Sequence, residues 1–212
     1  METTLTLSTK KITAIVLASG YSRRFDLEED KLLAIFQNKP VFQWTLDLLE
    51  TLPFYEVIIV ARRVEILEYG CLKGYQGIQN NSAMEGMSAS IRLGVNRSSC
   101  ETEGYMFFTA DQPFLTKRVI CKLIHAFNAY AKDIIVPMAS GQRGNPTLFP
   151  RRFQKDLLKL RGDEGGKKII NQYEADVKYV EIDDRMALED IDSKEDFLYF
   201  IDRYNAKVGS NE

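Results

Sequence analysis

Short runs of apolar, largely β-branched residues alternate with helix-spaced segments along most of the chain. Ile12-Thr-Ala-Ile-Val-Leu-Ala18 and Val57-Ile-Ile-Val-Ala61 are apolar at successive positions. That is the pattern of strands covered on both faces, as in parallel sheets flanked by helices. Tyr105-Met-Phe-Phe-Thr109 and Asp133 to Val136 read the same way, with a short strand around Ile78. Helical spacing predicts helices over Val41–Thr51 behind Pro40, a favoured first helical residue, and over Val64–Tyr69. Further helices are expected from Ser88, as cap, to about Asn96, and over Thr116–Ala131. The last third reads as a turn over Gly141–Pro146, a short strand Thr147–Phe149 and two short helices, Phe153–Leu160 and Gly165–Tyr173. A strand with one wet face follows over Val177–Ile182, then a helix capped by Ser193 to about Tyr204, with a frayed tail over 207–212. The alternation predicts one doubly wound, Rossmann-like, three-layer α/β/α domain over 1–206 with a mostly parallel sheet.

Composition removes whole classes of function. Lys and Arg number 28 against 30 Asp and Glu, so the positive surplus of a nucleic-acid binder is missing. No apolar run approaches the ~18–20 residues of a membrane span, and the polar Met1–Lys10 stretch does not read as a secretory signal. Three widely spaced cysteines, Cys71, Cys100 and Cys121, form neither a disulfide framework nor a metal clip, which suits the reducing cytoplasm. His125 is the only histidine and falls on a helix-spaced stretch, where a packing or surface role is expected. Chemistry here is therefore expected to run on carboxylates, metal ions and fixed positive charge.

Ligands in doubly wound sheets sit beyond the carboxyl ends of the strands, so the loops after Ala18 and Thr109 draw attention. The first, Leu17-Ala-Ser-Gly-Tyr-Ser-Arg-Arg24 with Lys31 further on, is neither GxGxxG nor a P-loop. Gly20 permits close backbone approach, Ser22 offers a hydroxyl, and Arg24 and Lys31 add positive charge. The loop fits either a triphosphate cradle or a turn with solvated charges diluted by Glu28, Glu29 and Asp30. Asp111, just past the strand ending at Thr109, fits either a Mg²⁺ ligand or a turn cap. The carboxylates of Leu188-Glu-Asp-Ile-Asp-Ser-Lys-Glu-Asp196 read mostly as helix-cap charges, with one a possible second ligand.

Six blocks, in order, resemble the MobA-like nucleotidyltransferases, and most closely their molybdenum-cofactor cytidylyltransferase (MocA-type) branch. They are Leu17–Arg24 with Lys31-Leu-Leu33, Glu85-Gly-Met-Ser-Ala-Ser-Ile-Arg92, Thr109-Ala-Asp-Gln-Pro-Phe-Leu115, Arg143-Gly-Asn-Pro146, Leu160-Arg-Gly-Asp-Glu-Gly-Gly166 and Asp190-Ile-Asp-Ser-Lys-Glu-Asp196. Phe25-Asp26 departs from the family's usual Met-Gly, and Ser19-Gly20 stands where the guanylyl branch carries Gly-Gly.

The resemblance implies a fold of the nucleotide-diphospho-sugar transferase type. It implies transfer of CMP from CTP to the terminal phosphate of molybdopterin, with release of pyrophosphate. Arg24 and Lys31 would offset phosphate charge, and both are expected in solvent when the site is empty. Asp111 and Asp192 would hold Mg²⁺, with Asp190 the other late candidate. Leu17, Ala18, Ser19, Gly20 and Ser22 would line the phosphate and base pocket, and Gly86, Ser88 and Ser90 would touch base or ribose. Arg143, Asn145, Asp163 and Gly165 fall in the acceptor part, about 137–192. A molybdenum hydroxylase is the implied client. Three rivals stand beside this reading: another NTP or phosphorylated acceptor, such as GTP or a sugar phosphate; a non-catalytic cofactor carrier; and a nicotinamide-dependent oxidoreductase.

Overall fold

The computed structural model describes residues 10–21, 25 and 30–209, with 204–209 described by backbone alone. Strand β1 (Ile12–Ala18) is the centre of the sheet because it is apolar on both faces. It pairs in parallel with β4 (Glu56–Ala61) on one side and β6 (Gly104–Thr109) on the other. A hairpin of β2 (Ile35–Phe36) and β3 (Lys39–Pro40) stands apart, with Gln37 and Asn38 both at positive φ, as a tight two-residue turn requires. The remaining strands are β5 (Gln76–Gln79), β7 (Ile134–Ala139), β8 (Gln142–Arg143), β9 (Thr147–Pro150) and β10 (Val177–Glu181). The sheet runs β10-β7-β9-β6-β1-β4-β5, with β8 added onto β7. Strands β9 and β8 run antiparallel to their neighbours, and the other recorded pairings are parallel.

Period-2 alternation splits the sheet into two cores. Ala14, Val16, Ile59, Met106 and Phe108 face one way, with α1 (Val41–Glu50), α2 (Val64–Leu72), α4 (Lys117–Ala129) and α7 (Lys194–Gly209) packed over them. Ile15, Ile58, Val60, Tyr105 and Phe107 face the other way, under α3 (Met87–Arg97), α5 (Gln154–Lys159) and α6 (Gly166–Gln172). This is the three-layer α/β/α architecture expected from the alternation. Among the described residues no helix is long and apolar enough to cross a membrane. All three cysteines are free.

Local details depart from expectation. Ser88 is not a cap: Gly86 caps α3, with φ +90°, and Ser88 is fully buried in the helix, where its Oγ accepts from Arg92 Nη1 at 2.9 Å. Pro40 ends β3 and precedes α1 rather than opening it. The Gly141–Pro146 turn contains β8, paired back on β7 through a bend with Ser140 and Gly141 at positive φ. Ser193 does cap α7: its Oγ accepts from Asp196 N at 3.1 Å while Asp196 Oδ2 accepts from Ser193 N at 2.8 Å, a reciprocal capping arrangement. That helix runs to Gly209, beyond the expected end near Tyr204. Residues 1–9 and 210–212 lie outside the described residues.

Phe36 joins the small hairpin to the rest. It is fully buried, with ring centroids 5.9 Å from Trp44 of α1, 5.5 Å from Phe114 after β6 and 6.0 Å from Phe197 of α7. Phe36→Ala is expected to cost about 3–5 kcal/mol in chemical denaturation, as for other buried aromatic deletions. A loss below about 1 kcal/mol would show that the three elements are held by other contacts.

Candidate active site

Register brings Leu17 of β1 opposite Thr109 of β6, and Ala18 opposite Ala61 of β4, so three parallel strands end side by side. Beyond them lies a cavity of about 530 Å³. Leu17, Ser19, Gly20, Lys31, Gly86, Ser90, Asp111, Asp163 and Asp192 line it, which gathers residues expected from five of the six sequence blocks. A second cavity of about 670 Å³ adjoins it and is lined by Arg143, Asn145, Asp163, Gly165 and Asp190. Leu17, Met87, Thr109 and Asp163 belong to both walls, so occupants of the two cavities would meet there.

Not every expected residue faces these cavities. Ala18 is buried in β1 and Ser88 in α3. The Ser19 hydroxyl turns into the sheet and donates to Val60 O at 3.1 Å, so position 19 offers the cavity backbone rather than its side-chain oxygen. Ser22 and Arg24 lie outside the described residues. His125 is exposed on α4 and lines neither cavity.

The strongest electrostatic feature is Lys31. Its Nζ donates to Asp111 Oδ2 at 2.6 Å, to Ile191 O at 2.9 Å and to Asp192 Oδ1 at 3.2 Å. Contrary to the solvated cation expected, its side chain is only 11% exposed. Burial pulls its pKa down, but Asp111 and then Asp192 more than offset this and hold it above the ordinary lysine value. Asp190 receives a 3.3 Å bond from Thr109 Oγ1, yet burial, then Asp111, then Asp192 push its pKa up to about 7.

Backbone and amide contacts bring these groups together across 80 residues of sequence. Ile191 N donates to Asp111 O at 2.9 Å, and the buried Gln112 reaches Leu188 O through Nε2 at 3.0 Å. Gln112 thus straps the Asp190–Asp192 segment to the end of β6. Gln112 lies within Thr109–Leu115, and only its long-range partner reveals this contact.

A divalent ion fits this donor set in chemistry. Asp111 Oδ1 is buried without a hydrogen-bond partner, a hard oxygen left bare beside a second acidic segment. Among the described residues no three His, Cys, Asp or Glu side chains are arranged as a metal site, and Lys31 bonds both Asp111 and Asp192.

The wall between the cavities is tightly built. A Cβ on Gly86 would lie 2.5 Å from Asp163 Oδ1 and 2.5 Å from Gly162 O, and Ser88 N donates to Gly162 O at 3.1 Å. Both the positive φ and the close approach therefore require glycine at 86. A Cβ on Gly20 would meet nothing within 4 Å, so in this structure the first loop leaves open space beside its backbone. Ser90 is oriented by the buried Asn80, whose Nδ2 donates to its Oγ at 3.0 Å. In the second cavity Arg143 is held by Asn171 Oδ1 at 2.7 Å and Glu174 Oε2 at 2.8 Å.

The cavity lies where open α/β sheets bind their ligands, beyond the carboxyl ends of the strands. A profile of the MobA-like NTP transferase domain matches residues 14–177, and the chain belongs to that family. Among solved structures it is similar to a homolog of Rv0371c from Mycobacterium sp. strain JC1, with 25% identity and a TM-score of 0.80 over 95% of this chain and 98% of that one. It is also similar to Rv0371c of Mycobacterium tuberculosis H37Rv in complex with manganese, with 22% identity and a TM-score of 0.77 over 91% and 99% of the two chains. Molybdopterin-guanine dinucleotide biosynthesis protein A from Archaeoglobus fulgidus matches with 19% identity and a TM-score of 0.66 over 92% and 99%. No curated protein matches the sequence.

Asp190 makes stability pH-dependent. Its folded pKa, near 7, lies above the ordinary 3.8, so between those values the folded chain holds a proton that the unfolded chain releases. Without added metal, this group's contribution to stability should be fully present below about pH 4 and lost as pH rises through 7. Urea unfolding in a chelator should show Asp190→Asn gaining on wild type as pH rises from 5 to 8, a range chosen to bracket most of that titration. A constant difference would mean that Asp190 ionises normally.

Proposed function

We propose that the protein transfers CMP from CTP to the terminal phosphate of molybdopterin and releases pyrophosphate, with Mg²⁺ as the metal. The observation that carries this reading is the charge cluster of Lys31, Asp111 and Asp192 beside the bare oxygen of Asp111, in the wall of the first cavity, which shares Leu17, Met87, Thr109 and Asp163 with the second. The family supports nucleotidyl transfer, and the bound manganese of the M. tuberculosis protein supports a divalent ion. Asp111 with Asp192 or Asp190 would hold that ion, which supplies charge neutralisation on the reacting phosphates.

The chain's own groups account for the rest. The attacking phosphate oxygen is anionic near pH 7, so no histidine base is needed, and His125 is far from such use. Lys31 exchanges its carboxylate partners for triphosphate oxygens and stabilises the leaving pyrophosphate. Gly20, with open space where a Cβ would stand, lets phosphates approach the backbone after β1. Arg24 belongs to the same reading as a further phosphate-binding cation. The anchored Arg143, with Asn145, Asp163 and Gly165, recognises the acceptor in the second cavity. Gly86 and Ser90 face base and ribose in the first. The reading carries with it a cytoplasmic setting and a molybdenum hydroxylase as client.

A guanylyl transfer is the second reading, favoured by the name of the A. fulgidus protein. Because the Ser19 hydroxyl is spent on Val60, discrimination at this position rests on backbone shape, worth only about 1–3 kcal/mol.

Pyrophosphate release with each NTP, with and without molybdopterin, separates the readings. CTP with acceptor should be the fastest pair. A preference for GTP assigns the guanylyl reaction, and cofactor binding without pyrophosphate release assigns a carrier. Asp111→Asn should keep the fold and lower turnover by about 10² or more. Turnover within about threefold of wild type would remove Asp111 from the chemistry.

A further inference from the structure

Arg62 follows the last residue of β4 and lines neither cavity, yet it touches both ends of the first loop. Its guanidinium carbon lies 4.8 Å from the ring centre of Tyr21, and its Nη2 donates to Asp30 Oδ2 at 2.5 Å. Tyr21 is in the wall of the first cavity, and Asp30 immediately precedes Lys31. The Asp30 side chain is only 5% exposed, so its charge needs a fixed partner. The same residue shapes the turn that carries Lys31: Oδ1 accepts from Leu32 N at 3.2 Å, and its carbonyl accepts from Leu33 N at 2.8 Å. Arg62 Nε is buried without an acceptor.

We propose that Arg62 is a positioning residue: it clamps Tyr21 and Asp30 to the end of β4 and so sets the base from which Lys31 reaches Asp111 and the phosphates. The part of this that concerns phosphates rests on the nucleotidyl-transfer reading, whereas the clamp on Lys31 does not. A planar guanidinium suits the task because it stacks on an aromatic face while donating in its own plane. A lysine side chain has several free torsions, so loss of a fixed base spreads its ammonium over positions an ångström or more apart. Misplacements of that size cost large factors in rate.

The test has two readouts on the full chain. The first is acylation of individual lysines by a limiting amine-acylating reagent, followed by peptide mass spectrometry. Lys31 should react severalfold faster in Arg62→Ala than in wild type, the exposed Lys159 should be unchanged, and Arg62→Lys should restore part of the protection. If Arg62→Ala does not fold, Asp30→Asn opens the same clamp from its other end and should unmask Lys31 equally. The second readout is kcat/KM for CTP. Arg62→Ala should lower it about tenfold or more, but by less than about threefold in a Lys31→Ala background. Unchanged Lys31 acylation in a folded variant would overturn the clamp, and so would full multiplication of the two rate effects. If Lys31 is unmasked but no NTP yields pyrophosphate, the clamp stands and the nucleotidyl-transfer reading fails.

Discussion

The contact of Lys31 with Asp111 and Asp192 organises the site, because it holds three chain segments at one point. Lys31 comes from the turn after β1, Asp111 from the end of β6, and Asp192 from just before α7. The Lys31 ammonium and the Asp111 carboxylate, both largely out of water, are costly to separate, since removing one partner of a buried pair leaves the other uncompensated. The cluster is therefore self-consistent without a ligand and yet poised for partner exchange. Phosphate oxygens can replace the carboxylates on Lys31, and a divalent cation suits the oxygens that Lys31 then leaves. Asp190 marks the same tension: burial and two neighbouring carboxylates make its charged form unfavourable.

The fold serves this point by ending parallel strands together. β1 is apolar on both faces, so it takes the centre of the sheet, with β4 and β6 beside it in register. Their shared carboxyl edge leaves room for a ligand where helices and loops diverge. The antiparallel β9 extends the sheet beyond β6 and, with β7 and β8, builds the floor of the second cavity around Val136, Arg143 and Thr147. Gly86 against Asp163 then joins the two cavities. An α/β sheet alone supplies one crevice; this late extension supplies the neighbouring one.

Much of this was legible in the residues for identifiable reasons. Strands covered on both faces announce themselves as unbroken apolar runs, and β1, β4 and β6 fall where those runs lie. Ser193 caps its helix as its type suggests, because capping is a local interaction, and Thr116, placed inside its helix by apolar spacing, proves to be that helix's cap. Ser88 differs for the complementary reason: Gly86 takes the cap through its backbone conformation while Ser88 N bonds Gly162 O, neither visible locally. Lys31 stands out in the sequence as a cation on the loop after a strand but not as a buried one, since its carboxylate partners lie 80 and 161 residues away. Gln112 and Arg62 act only through long-range partners, Leu188 for the first and Asp30 with Tyr21 for the second. Ser19 lines the first cavity as the resemblance implies, but pairing of β1 with β4 puts Val60 within reach of its hydroxyl, a partner not visible in the loop itself.

On the proposed function, the carboxylate–lysine cluster changes partners when nucleotide binds. The most direct measurement is a crystal structure of the protein with CTP and Mg²⁺. The expected result is a metal ion bonded to Asp111 and the Lys31 ammonium on a triphosphate oxygen, with the nucleotide between Gly20 and Gly86. Nucleotide bound elsewhere, or bound in this cavity with Lys31 still on Asp111 and no metal on that carboxylate, would contradict it.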